Sequence, residues 1–186
     1  MIRGGQGGYN TKTGLIYEGK VDLKTFLETL PFYKLKEHPL TKLKKNKWYL
    51  VYYKNEYIAD IFQKNALYIY LEEKGINWQK FLSKKLLPDN AIYVILNNTL
   101  FIIEVKYQQV AGSVDEKLQT CDFKRKQYMK LFSYLNYRVE YIYILNDWFK
   151  KDEYKDVLDY IITMGCKYYF NYLPLQEIGL IVPNKK

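Results

Sequence analysis

Residues 88–106 contain two apolar segments that are joined by a short polar turn. The first segment, residues 91–96, is rich in β-forming side chains, and the second, residues 100–103, is a continuous apolar run typical of a strand buried on both faces. Asn97-Asn98 lies between the segments and is suited to a tight turn. The stretch therefore predicts a β-hairpin whose second strand belongs to the interior of a sheet.

Charged residues stand at one end of this predicted hairpin. Asp89 precedes the first strand, and Glu104 and Lys106 end the second. Because side chains alternate along a strand, Glu104 and Lys106 project on one side and Val105 on the other. Ionic groups beside an apolar run need a partner, a metal or solvent. Two carboxylates and an ammonium can hold a hard divalent cation beside a phosphate and orient a water molecule; the alternative is a Glu–Lys pair that closes a strand at the surface.

Pro88-Asp89 followed by Glu104-Val105-Lys106 resembles the motif of the PD-(D/E)xK nuclease superfamily. The resemblance extends over residues 12–145 and includes the order of the elements. It implies that Asp89 and Glu104 bind Mg²⁺, with Mn²⁺ as a substitute, and that the Val105 carbonyl is a possible third ligand. It also implies that Lys106 positions or activates the attacking water and stabilises charge on the phosphate.

Two further catalytic candidates rest on the same resemblance. Residues 13–30 are predicted to form a helix, and Glu18 lies off its apolar stripe. Many similar nucleases carry an acidic residue on the helix before the core sheet, close to the metal; a solvated glutamate is the alternative for Glu18. Some similar nucleases place a glutamine just after the lysine to bind the scissile phosphate, and Gln108 occupies that place.

The net charge of +9 favours polyanionic partners through attraction and counterion release, although a basic surface can also serve solubility alone. Residues 1–12 are Gly-rich and are predicted to be a flexible arm that could approach DNA. Residues 34–47 carry six lysines and are predicted to be a surface loop that clamps the DNA backbone or is merely solvated. The DNA-binding candidates are Arg3, Lys42, Lys44 and Lys45 from these segments, and Lys117 and Arg125 from a helix that is predicted to begin at Ser113.

Periodicity and turn signals predict the other elements. The predicted strands are Trp48–Tyr53, Tyr57–Ile61, Val139–Leu145 and an edge strand Lys167–Phe170. The predicted helices are Ala66–Glu73, Trp78–Leu86, a helix from a Ser113 capping box to Leu135 with Lys124 on its polar side, and Lys151–Met164. A strand that follows a long helix indicates a parallel crossover. We therefore expect one α/β domain over residues 1–186, with a mixed central sheet flanked by helices and, by resemblance, a restriction-endonuclease-like core.

Other classes of protein fit the composition poorly. The single histidine, His38, and the two cysteines, Cys121 and Cys166, have no metal-site spacing, which argues against histidine catalysis and zinc binding. No apolar run reaches 18 residues, so no transmembrane helix is expected. The N-terminal residues lack the apolar core of a signal peptide, and a cytoplasmic protein with reduced thiols is the simplest interpretation.

The expected activity is Mg²⁺-dependent hydrolysis of phosphodiester bonds in double-stranded DNA, most like a type II restriction endonuclease. Such an enzyme would be a homodimer and would have a cognate DNA methyltransferase encoded nearby. The main alternative is a structure-specific nuclease such as a Holliday-junction resolvase. Two non-enzymatic alternatives are a DNA-binding protein with a vestigial site and an interaction protein with a coincidental motif.

Overall fold

The β-rich segments of the sequence form nine strands in a computed structural model that describes residues 16–18, 22–109 and 114–183. The strands are β1 (Ile16–Glu18), β2 (Tyr33–Glu37), β3 (Trp48–Tyr53), β4 (Glu56–Phe62), β5 (Asn90–Val94), β6 (Thr99–Lys106), β7 (Arg138–Leu145), β8 (Lys167–Phe170) and β9 (Tyr172–Pro174). The helices are α1 (Leu23–Glu28), α2 (Ala66–Glu73), α3 (Val114–Leu118), α4 (Cys121–Leu131) and α5 (Lys155–Thr163).

Strands β2 to β8 form a seven-stranded mixed sheet in sequential order. The strands from β2 to β6 are antiparallel, whereas β6, β7 and β8 run parallel to one another. The parallel pair β6–β7 is connected through α3 and α4, which confirms the predicted crossover. Strands β1 and β9 pair in a separate antiparallel sheet. The chain is therefore an α/β protein with a mixed central sheet, as the sequence predicts.

Both faces of the sheet are covered, and β6 is an interior strand between β5 and β7. Ile102 points into a core shared with α2, α4 and α5, while Phe101 and Ile103 point into a second core on the opposite face. The second core receives α1 and the C-terminal segment, including Leu173 and Ile178. Since both faces of β6 are buried, polar and apolar side chains do not alternate along it. This explains the continuous apolar run in the sequence.

The predicted helix over residues 13–30 is wrong in its first half. Residues 16–18 form β1, whose backbone pairs with β9. The helix begins only at Leu23, because the side chain of Asp22 accepts a hydrogen bond from the Thr25 backbone N–H (3.3 Å) and so caps α1 there.

Three other element predictions need correction. Residues 34–37 belong to strand β2 rather than to a loop, because the alternation of apolar and charged side chains from Tyr33 fits one face of a sheet. The predicted helix over residues 78–86 is wrong, because only Trp78–Lys80 form a single 3₁₀ turn. The backbone of Leu86 is bonded instead by the Tyr68 hydroxyl, which donates to the Leu86 carbonyl and accepts from the Leu86 N–H. The helix predicted from Ser113 to Leu135 is divided at residues 119–120 into α3 and α4, and Ser113 itself lies outside the described residues.

The hairpin β3–β4, helix α2, strand β7 and edge strand β8 agree with the prediction. Helix α5 is preceded by a 3₁₀ turn over Asp152–Tyr154, so the predicted helix from Lys151 starts later than expected.

The helices in the described part of the chain are all too short to cross a lipid bilayer.

A buried carboxyl group gives the fold a specific pH dependence. Asp60 is 2% exposed and accepts hydrogen bonds from Trp48 Nε1 (2.6 Å) and the Tyr57 hydroxyl (2.5 Å). Burial raises the pKa of Asp60 above its usual value, and the two hydrogen bonds only partly oppose this effect. An acid with a raised pKa in the folded state binds its proton more tightly there than in the unfolded chain. Asp60 therefore favours folding more strongly as the pH falls from neutral towards the ordinary aspartate pKa of about 4.

We expect the free energy of unfolding of the wild type, relative to that of Asp60→Asn, to rise as the pH is lowered from neutral towards about 4. Urea unfolding of both proteins at several pH values measures this difference, and the other titrating groups cancel in it. A difference that is constant or that falls with decreasing pH would show that burial does not control Asp60.

Candidate active site

The register of the central hairpin brings Asp89 next to the end of β6. Asn90 pairs with Ile103, so Asp89 lies just beyond the paired residues of β5. Its Oδ2 accepts a hydrogen bond from the Val105 backbone N–H at 3.0 Å. The carboxylate is thus held beside the strand that carries Glu104 and Lys106.

Glu104 and Lys106 share a face of β6, as the strand period requires. Lys106 Nζ lies 2.6 Å from Glu104 Oε2 and 3.8 Å from Asp89 Oδ2. The exposed fractions of the side chains are 10% for Glu104, 16% for Lys106 and 48% for Asp89. The predicted charged set is therefore assembled, with Glu104 at its buried end and Asp89 open to solvent.

Buried tyrosine side chains lie close to these charged groups. Tyr143 pairs with Glu104 across β6–β7, and the centre of its ring lies 6.0 Å from Lys106 Nζ. Burial, followed by the negative charge of Glu104, raises the pKa of Tyr141, so its hydroxyl is protonated at neutral pH. Burial likewise raises the pKa of Tyr128. The ionic groups thus rest on a largely apolar surface, where electrostatic interactions are stronger than in water.

Lys124 of α4 is a member of the site that the sequence interpretation missed. Its Nζ lies 3.8 Å from Glu104 Oε2, the same oxygen that binds Lys106. The residue was assigned to the polar side of its helix, but it lies at helical spacing from Cys121 and Tyr128, both of which are buried. This spacing within α4 is the signal that could have placed Lys124 towards the sheet.

Gln108 lies two residues beyond the end of β6 and is fixed through its backbone. Its N–H donates to Asn146 Oδ1 (3.1 Å), and Asn146 Nδ2 donates to the Gln108 carbonyl (2.8 Å). The side-chain Nε2 and Oε1 of Gln108 are buried and make no hydrogen bond to any described residue. An unpaired buried amide costs on the order of 1–3 kcal/mol, so any partner that this side chain gained would stabilise the folded protein. Asn146 was not predicted, since its role depends on a contact between distant residues.

The other candidates are scattered. The backbone of Glu18 pairs with Tyr172 in β9, so the residue lies on a strand and not on the predicted helix, and its side chain is outside the described part. Arg3 also lies outside the described residues. Lys117 of α3 is exposed, and its carbonyl accepts a hydrogen bond from the Tyr143 hydroxyl (3.1 Å).

Arg125 faces a different part of the protein from Lys124. Its guanidinium lies beside Gly165, at the end of α5, where an added methyl group would stand 3.4 Å from Nη1. Its Nε is buried without a hydrogen bond to any described residue. Contact with α5 therefore accounts for its position, and nothing in this geometry directs it towards a ligand at Glu104.

Lys42, Lys44 and Lys45 are exposed on the connection between β2 and β3. This connection, residues 38–47, leads into strand β3 at Trp48. Trp48 pairs with Phe62, and Phe62 pairs with Ala91, which is two residues after Asp89. The three lysines consequently lie at the same end of the sheet as the charged site.

The donor set fits a magnesium ion better than a zinc ion. Within the described residues no group of three or more His, Cys, Asp and Glu side chains is placed so that it could hold a metal ion. Mg²⁺ is commonly held by one or two carboxylates while water and substrate phosphate complete its coordination. Asp89 and Glu104 supply that pair, and both already share one cationic group, the Lys106 ammonium.

Comparison with models of protein families, with curated proteins and with solved structures gives no match to this chain. The similarity to the nuclease motif is therefore an inference from the chain's own residues.

Proposed function

We propose that this protein is a Mg²⁺-dependent endonuclease that hydrolyses phosphodiester bonds in double-stranded DNA, with a restriction-endonuclease-like core. The observation that carries the proposal is the meeting of Asp89, Glu104 and Lys106 at the open end of two central strands. Their chemistry suits a hard cation, a phosphate and a water molecule.

Each residue has a distinct part in the proposed reaction. Asp89 and Glu104 would hold Mg²⁺, and the Val105 carbonyl would be its third protein ligand. The Val105 N–H keeps the Asp89 carboxylate in place. When bound there, the ion would polarise the phosphate and lower the pKa of a coordinated water molecule. Lys106 donates hydrogen bonds to the attacking water or to a phosphate oxygen and stabilises negative charge there. The Gln108 amide, which lacks a partner among the described residues, offers a further donor to the phosphate.

The distribution of charge supports a nucleic-acid substrate. Lysines surround the end of the sheet that carries the site, both in the connection 38–47 and beyond the ends of β4, β6 and β7. They are Lys42, Lys44, Lys45, Lys64, Lys117 and Lys150. Lysine side chains bind phosphates as point charges and release counterions from DNA, so this surface would supply affinity that does not depend on sequence.

Charge reversal of Lys42, Lys44 and Lys45 is expected to weaken binding to all duplex sequences alike. If all three contact phosphates, the slope of log K against log salt should become shallower by about 3. Fluorescence anisotropy with a labelled duplex in Ca²⁺, which should permit binding without cleavage, measures this slope. A matched triple reversal at the other end of the sheet, Lys34, Lys54 and Lys130, serves as the control. Equal slopes for the two triple variants would show that the 38–47 connection is only solvated surface.

A type II enzyme would act on a symmetric site as a homodimer, which places one catalytic set on each strand. Methylation of that site by a cognate DNA methyltransferase would protect the host genome. Incubation of linear duplex DNA with Mg²⁺ should therefore give a fixed ladder of fragments whose ends share one motif. Intact linear duplex together with cleaved four-way junctions would refute the restriction activity and favour a junction resolvase.

A further inference from the structure

We propose that Lys124 is a second substrate-binding ammonium of this site, which leaves Glu104 when the metal binds and then contacts the phosphate that is cleaved. This inference rests on the proposed nuclease function. It starts from the observation that a single oxygen, Glu104 Oε2, lies within 4 Å of two ammonium groups, Lys106 Nζ at 2.6 Å and Lys124 Nζ at 3.8 Å.

The two lysines are not equivalent. Lys106 comes from the same strand as Glu104 and lies near both carboxylates, whereas Lys124 comes from α4 and, among the described residues, pairs with Glu104 alone. The Lys124 side chain is also more exposed, 26% against 16% for Lys106. Lys124 is therefore the ammonium that can turn towards solvent at the smaller cost.

The charges of the site explain why it would turn. Without metal, the carboxylates of Asp89 and Glu104 are balanced by the ammoniums of Lys106 and Lys124. A divalent cation at the carboxylates would repel both ammoniums and would give the site an excess of two positive charges. A phosphodiester group neutralises part of this excess, and further negative charge develops on its oxygens in the transition state. An ammonium displaced from Glu104 finds its new partner in those oxygens.

A purely structural role is the alternative, in which Lys124 only balances Glu104 within the folded protein. The two roles differ at saturating metal, because Mg²⁺ then neutralises the carboxylate in place of the lysine. A structural Lys124 would affect the amount of Mg²⁺ needed but not the rate once the ion is bound. A substrate-binding Lys124 would affect the rate at every Mg²⁺ concentration.

The test is a Mg²⁺ titration of the rate at which duplex DNA is cleaved under single-turnover conditions. We expect the plateau rate of Lys124→Ala to be on the order of 10²-fold below the wild type, as for the loss of one transition-state donor. Its half-saturating Mg²⁺ concentration should be equal to that of the wild type or lower, because a competing cation is gone. Lys124→Arg, which keeps the charge, should recover much of the rate.

Lys126→Ala is the matched control, since Lys126 lies on the same helix, is 66% exposed and pairs with Asp122 at 2.8 Å instead of with the site. It should cleave at the wild-type rate. Thermal unfolding checks that each variant is folded, and the rise in melting temperature with Mn²⁺ measures metal binding without cleavage; it should be at least as large for Lys124→Ala as for the wild type. Lys124→Gln, which keeps much of the side chain's packing, replaces Lys124→Ala if the alanine variant does not fold.

A plateau rate for the neutral Lys124 variant equal to that of Lys126→Ala would overturn the proposed role of Lys124 and leave the nuclease function standing. Absence of cleavage by the wild type, on duplex and on branched DNA, would instead refute the nuclease function and this role together.

Discussion

Replacement of Glu104 by Gln is expected to lower the rate of DNA cleavage by about 10³-fold or more, equivalent to roughly 4 kcal/mol of transition-state stabilisation. Glutamine has nearly the same shape but carries no charge, so it is a poor ligand for a hard cation. Because Glu104 is also the partner of Lys106 (2.6 Å), the substitution removes the group that orients this lysine. Single-turnover cleavage at saturating Mg²⁺ measures the effect.

Glu140→Gln is a matched control on the neighbouring strand β7. Glu140 is buried and paired with Arg138 (2.6 Å) and Lys167 (3.5 Å), but it faces the second core and not the site. A rate loss for Glu104→Gln no larger than that for Glu140→Gln would show that Glu104 contributes to folding alone. Both variants should lose some stability, because each leaves ammonium or guanidinium groups without their carboxylate.

Removal of the metal should have the second large effect, the complete loss of cleavage. Asp89 and Glu104 offer only oxygen donors, which select hard cations such as Mg²⁺ and Mn²⁺. Excess EDTA should therefore abolish cleavage, and added Mg²⁺ or Mn²⁺ should restore it. Ca²⁺ should support DNA binding without cleavage. Undiminished cleavage in excess EDTA would rule out the metal-dependent mechanism.

Stability provides an independent readout of metal binding. Any ligand that binds the folded state alone raises the melting temperature as its concentration rises. We expect Mn²⁺ to raise the melting temperature of the wild type but not that of an Asp89→Asn, Glu104→Gln double variant.

The part of the site that lies on β6 could be predicted because a strand has a strict period of two residues. Glu104 and Lys106 had to share a face once the segment was recognised as a strand, and the turn at Asn97-Asn98 brought Asp89 to the same end. Local pattern was sufficient here, since these three residues belong to one hairpin.

Lys124 and Asn146 could not be placed in the same way. The face of α4 that meets the sheet depends on the break between α3 and α4 at residues 119–120, and the sequence pattern predicted one continuous helix. Asn146 fixes Gln108 through two hydrogen bonds across 38 positions of the chain. Contacts of this kind follow from the packed sheet and have no local signature.

The errors in the fold have similar causes. The dense charges of residues 34–37 hid the alternation of strand β2, because a half-exposed edge strand can carry lysines on its open face. The cap at Asp22 shortened the first predicted helix, and pairing with β9 made a strand of the residues around Glu18. Pairing with a distant segment overrode local helix propensity there.

Sequencing of DNA ends most directly tests the central claim that Asp89, Glu104 and Lys106 form a magnesium-dependent nuclease site. Duplex DNA is incubated in Mg²⁺ with the wild type and with Asp89→Asn, purified in parallel, and all new ends are mapped. We predict discrete ends with the wild type and none above background with Asp89→Asn. The same ends at the same frequency with both proteins, or no new ends with the wild type, would contradict the claim.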